Sequence, residues 1–134
     1  MTPAEQASLE AMFRAFAPDH FERWSYLLSR KPGRWKKISP MRAWPAPSAF
    51  DSYPNKPFDE ILLSLPFARF ASTPSVVFCC GHSRVPSVKT MTLSEALPGG
   101  KWDYTVIFEG FISIVSGELA LGFNHEGGAC VYRA

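Results

Sequence analysis

"EGFISIVSGELALGFNHEGGACVYR", residues Glu109 to Arg133, decides the fold of this chain. Three apolar runs, "FISIV", "ELALGF" and "ACVYR", are separated by Ser116-Gly117 and by "NHEGG". Short runs of β-branched and aromatic residues with brief Gly-containing breaks read as antiparallel hairpins. Gly110 admits two readings, a turn or a bulge within one longer strand that begins upstream with "DYTVIFE". Further upstream, "SVVFCC" and "SVKTMTL" are strand candidates, and "LSEAL" reads as one helical turn before "PGG". Residues 75–134 therefore read as a sheet of four to six antiparallel strands.

The N-terminal part, residues 1–66, reads differently. Thr2 is placed to cap a helix, Pro3 suits its first position, and Glu5 completes a capping box. Leu9, Met12, Phe13 and Phe16 follow at helical spacing and predict one buried face. Pro18 ends that element, and Asp19 with Glu22 starts another whose apolar side holds Phe21, Trp24, Leu27 and Leu28. "KPGR" breaks the second helix at Pro32 and Gly33. From Ser39 to Pro57 there are five prolines in nineteen residues, which argues against a regular helix or a central strand there. Trp44, Phe50 and Tyr53 predict that this loop is pinned to the body by its rings, and "FDEILLSL" predicts a short helix closed by Pro66.

These readings combine into one α+β domain over residues 1–134, an antiparallel sheet with N-terminal helices packed on one face. A chain of 134 residues is long enough for a single core, and 46% hydrophobic with 19% charged residues excludes intrinsic disorder. No apolar run approaches the ~20 residues of a membrane span. The start "MTPAEQASLEAMF" lacks the basic region and apolar segment of a secretion signal, so a cytoplasmic address is expected. Three cysteines, Cys79, Cys80 and Cys130, are an odd number, and reduced thiols are the simplest reading.

The chemistry-bearing residues are few. In "CCGHS", Cys79 and Cys80 are neighbours on a strand, so their side chains leave opposite faces and do not clasp one metal ion. No metal and no cofactor is predicted. Cys80 sits where a strand should end, with His82 two residues on and His125 in a Gly-rich turn beside Asn124 and Glu126. A Cys-His pair is chemically sufficient for nucleophilic catalysis. The spacing is nonspecific, however, and a cysteine after "VVF" packs more commonly as a small hydrophobe. The second candidate is "SRKPGRWKKISPMRAWP", residues 29–45, which holds six cations and no acid, interleaved with Trp35 and Trp44. Residues 1–42 carry eight Lys/Arg against four Asp/Glu, whereas 43–134 carry six against eight. Arginine and tryptophan are enriched at protein interfaces, and the same mixture stacks on single-stranded nucleic acid.

"RWKKISPMRAWP", followed much later by "EGFISIVSGELALGFNHEGG", resembles the small cytosolic immunity proteins of bacterial toxin systems. The resemblance lies in the size and layout of the whole chain and carries no functional residue across. It implies an inhibitor that binds and neutralises a cognate toxin inside the cell. The expected partner-binding residues are Arg34, Trp35, Lys36, Lys37, Arg42 and Trp44, facing a toxin or another protein with an acidic surface. The alternatives are a small cysteine-dependent enzyme using Cys80 with His82 or His125, and an RNA-binding module centred on the basic stretch.

Overall fold

A computed structural model of the chain describes residues 1–30, 56–57, 60, 65–80, 86–100, 109–123 and 128–134. Among them, α1 (Pro3–Phe16) leads through a 3₁₀ turn at Pro18–His20 into α2 (Phe21–Leu28). Strand β1 (Lys56–Pro57) and the short α3 (Phe67–Phe70) precede β2 (Pro74–Cys80) and β3 (Pro86–Thr92). One helical turn, α4 (Leu93–Ala96), comes before β4 (Glu109–Val115), β5 (Leu119–Phe123) and β6 (Gly128–Arg133). The six strands form one antiparallel sheet in the order β1-β6-β5-β4-β2-β3. Five of them lie in the C-terminal half, as the hairpin pattern predicts. The helix expected over "FDEILLSL" and the strand expected over "DYTVIFE" fall largely outside the described residues.

Strand β4 sits between the two hairpin systems. It pairs with β5 across the Ser116-Gly117 turn, closed by the Glu118 amide donating to the Val115 carbonyl at 2.9 Å. On its other side it pairs with β2, from Val76↔Ser113 to Cys80↔Glu109. Gly110 lies inside this ladder, opposite Cys79 and Phe123, so it makes neither a turn nor a break. The irregularity comes later: Ser113 faces Ala120 and Val115 faces Leu119, which leaves Ile114 as an extra residue. This bulge lets the consecutive Ile114 and Val115 both pack into one cluster.

The N-terminal helices pack on one face of the sheet, as expected. Leu9, Met12, Phe13 and Phe16 of α1 are all buried, together with Trp24 and Leu28 of α2. They cover Val76, Phe78, Phe111, Ala120 and Tyr132. Helix α1 crosses the sheet from β3 to β6. The Thr90 hydroxyl on β3 donates to the Glu5 carboxylate at 2.9 Å, and the Ser8 and Ser113 hydroxyls meet at 2.9 Å. Phe13 stands edge-on to Phe111, with centroids 5.7 Å apart, and Phe16 lies 5.6 Å from Tyr132. The Ser25 hydroxyl of α2 donates to the Glu10 carboxylate at 3.0 Å and so ties the two helices together.

The opposite face is buried as well. Val77, Cys79, Ile112, Leu121, Phe123 and Ala129 pack there with Leu65 and with Leu93, Ala96 and Leu97 from the α4 region. The signature is already in "LALGF", where all five residues of β5 are buried instead of every second one. A strand covered on both faces has no need for polar alternation. The sheet is therefore the middle layer of the described structure.

Two capping boxes fix the helix starts. At α1 the Glu5 amide donates to the Thr2 hydroxyl at 3.1 Å, and the Thr2 amide donates to the Glu5 carboxylate at 2.7 Å. Thr92 and Glu95 repeat this at α4, with bonds of 3.2 and 2.8 Å. The Thr2 backbone amide holds the Glu5 carboxyl below the ordinary glutamate value, with the Thr90 hydroxyl helping against slight desolvation. The Thr92 amide does the same for Glu95. Because both folded values are depressed, their stabilisation is present above the unfolded glutamate pKa and is lost as pH falls through the folded one. Thermal unfolding midpoints should therefore decline between roughly pH 5 and pH 3. Glu5→Gln should flatten part of that decline; an identical pH profile in the variant would remove Glu5 as its source.

Candidate functional site

The six residues expected to bind a partner, Arg34, Trp35, Lys36, Lys37, Arg42 and Trp44, lie outside the described residues, as do His82 and His125. The structure does describe where the basic stretch begins. Helix α2 forms because Phe21, Trp24 and Leu28 recur on one side and bury that side against α1 and the sheet. Trp24 stacks on Phe13 with centroids 4.9 Å apart and stands edge-on to Phe78 at 5.9 Å. That anchoring fixes which residues face out. Glu22, Arg23, Tyr26, Ser29 and Arg30 are exposed.

Tyr26 is 57% exposed, and with Met1 it is one of two exposed large hydrophobic side chains among the described residues. The Arg30 guanidinium lies over its ring, 4.5 Å from the centroid, and an Arg30 Nη2 proton is donated to the Tyr26 hydroxyl. The backbone beneath them is closed. The Ser29 amide continues the helical pattern to the Ser25 carbonyl at 3.1 Å, and the Ser29 hydroxyl donates to the Tyr26 carbonyl at 2.6 Å. A cation at this position also suits the negative end of the helix dipole. Sequence reading placed Arg30 in the basic stretch but did not single out Tyr26. The available signal was its position: Tyr26 falls off the side defined by Phe21, Trp24 and Leu28.

The cysteines separate into distinct situations. Cys79 is buried in the second core cluster, and its Sγ lies 3.3 Å from the Ser87 hydroxyl of β3. Cys80 is the last residue of β2, so the stretch "VVFCC" ends a strand as its composition suggests. Strand β6, which carries Cys130, is separated from β2 by β5 and β4. Three strand spacings put them roughly 14 Å apart, beyond the ~7 Å Cα limit for a disulfide. Cys79 is therefore not bridged to Cys130.

The register also constrains the alternative catalytic set. Cys80 pairs with Glu109 at the end of β2, and at the same end of the sheet β5 finishes at Phe123 and β6 begins at Gly128. The strand ends that flank His82 and His125 thus share one end of the sheet. Strand β4 intervenes between β2 and β5, which places those ends roughly 10 Å apart. Among the described residues, no three His, Cys, Asp or Glu side chains gather as a metal site would require, and no helix is long and apolar enough to cross a membrane. Compared with protein-family models, with curated proteins and with solved structures, the chain matches none of them.

Proposed function

We propose that this domain is a protein-binding inhibitor of the immunity type, which neutralises a toxin acting inside the cell. The observation that carries the reading is the outward-facing Tyr26–Arg30 stack at the end of α2. It begins a stretch, residues 29–45, that holds six cations, two tryptophans and no acid. Tyrosine, tryptophan and arginine dominate the binding energy of protein interfaces. The cations speed encounter with an acidic surface, and the rings, once buried, set the lifetime of the complex.

The test is affinity capture of the tagged full chain from its native lysate, with and without nuclease. One stoichiometric protein should survive nuclease treatment, and Trp35→Ala and Trp44→Ala should release it while the domain stays folded. A partner held equally well by both variants would rule out this surface. Captured RNA that disappears with nuclease and with salt would favour the nucleic-acid module instead.

A further inference from the structure

We propose that the Tyr26–Arg30 pair is a preset carboxylate receptor, at which an Asp or Glu side chain of an acidic partner protein docks. The inference rests on the protein-binding reading above and names the chemistry of its first contact. Two features of the pair point to a carboxylate. Stacking on the exposed ring favours one orientation of the guanidinium, so part of its ordering is already supplied before binding. The bond to the Tyr26 hydroxyl engages one of five guanidinium N–H donors, which leaves a planar fork matching the two oxygens of a carboxylate. A guanidinium is also weakly hydrated compared with an ammonium group, so its desolvation against a partner costs less.

The surroundings agree in sign. The stretch that follows Arg30 carries five further cations, Lys31, Arg34, Lys36, Lys37 and Arg42, with no acid before Pro45. The acid on α2, Glu22, lies in the first turn, one helical turn before Tyr26 and two before Arg30, and the Glu10 carboxylate of α1 is engaged by the Ser25 hydroxyl. An acidic protein surface is therefore the occupant that complements this end of α2. A purely structural role, in which Arg30 only complements the helix dipole, makes a different prediction. Lysine supplies that charge as well as arginine does, but it lacks the fork.

The test is an NMR titration of the full chain with an eight-residue peptide of alternating Glu and Asp. Its Gln/Asn counterpart and a single-stranded oligouridine serve as comparison probes. The acidic peptide should shift the Arg30 side-chain Nε–H and the Tyr26 ring signals saturably, and the amide peptide should not. Arg30→Lys should weaken binding roughly tenfold with the fold unchanged, since a bidentate charge-assisted contact is lost. Tyr26→Ala should weaken it as well, because the guanidinium loses its platform. Equal binding by Arg30→Lys, equal shifts with the amide peptide, or stronger shifts with oligouridine would each overturn the assignment. Failure here with lysate capture still dependent on Trp35 and Trp44 would remove the receptor and leave the inhibitor reading. A positive titration with no protein captured would do the reverse.

Discussion

Gly110→Ala is expected to destabilise the domain by about 3–5 kcal/mol, the range reached when a substitution strains the backbone and collides inside the core. Gly110 has φ +151°, a conformation L residues rarely adopt, and a Cβ built there would lie 2.0 Å from the Phe78 carbonyl oxygen. It would also sit 3.0 Å from the Cys79 Cα. Both obstacles are backbone atoms of β2, which is paired on both sides by β3 and β4. Relief therefore requires a strand in the sheet to move, carrying Val77 and Phe78 out of two separate core clusters. A loss of this size should lower the thermal midpoint by roughly 10 °C or more in a domain of this length. Gly99→Ala is the matched comparison: its φ is +63°, but nothing lies within 4 Å of the added Cβ. That variant should cost about 1 kcal/mol, from backbone conformation alone. Equal midpoints for the two variants would show that the close approach of β4 to β2 does not exist.

Phe13→Ala should be comparably severe, at about 3–5 kcal/mol, because it empties a site that three elements share. Phe13 has no exposed surface. It stacks on Trp24 of α2 and meets the edge of Phe111 on β4. Truncation removes the ring's transfer energy and both aromatic contacts, and the neighbours are held by the sheet and so cannot collapse into the void. Phe13→Leu, which keeps much of the volume, should recover more than half of the loss. Urea unfolding decides this, read as a lowered midpoint with an unchanged slope. A Phe13→Ala variant within 1 kcal/mol of wild type would mean that α1 does not pack on this face.

Local signals in the sequence were strong wherever a few adjacent residues settle the outcome. Thr2, Pro3 and Glu5 specify the start of α1 through bonds spanning three residues, and the structure forms those bonds. The 3.6-residue recurrence of Leu9, Met12, Phe13 and Phe16 names the buried side because helix geometry alone determines which residues share it. The hairpin breaks at Ser116-Gly117 likewise mark β4 and β5 without reference to the rest of the chain. Candidate chemistry was less legible. The run "VVFCC" predicts a strand end, but only the contact with Ser87 shows how the Cys79 thiol is accommodated. The pairing of Tyr26 with Arg30 appears in the sequence as a spacing of four, and its exposure depends on where α2 lands.

The sequence by itself determined the α+β class, the first two helices, the strand-rich C-terminal half and the cationic, ring-bearing stretch after α2. Those properties follow from local periodicity, capping, turn chemistry and composition. Tertiary structure alone decided the strand order β1-β6-β5-β4-β2-β3, the burial of both sheet faces and the separation of Cys130 from Cys79 and Cys80. It also decided that Gly110 is demanded by a neighbouring strand, where the sequence admitted a turn or a bulge. The physical reason is common to all of them. Each depends on which distant backbone lies alongside, and that choice is made by packing α1 and α2 on one face and the Leu65 and α4 segments on the other.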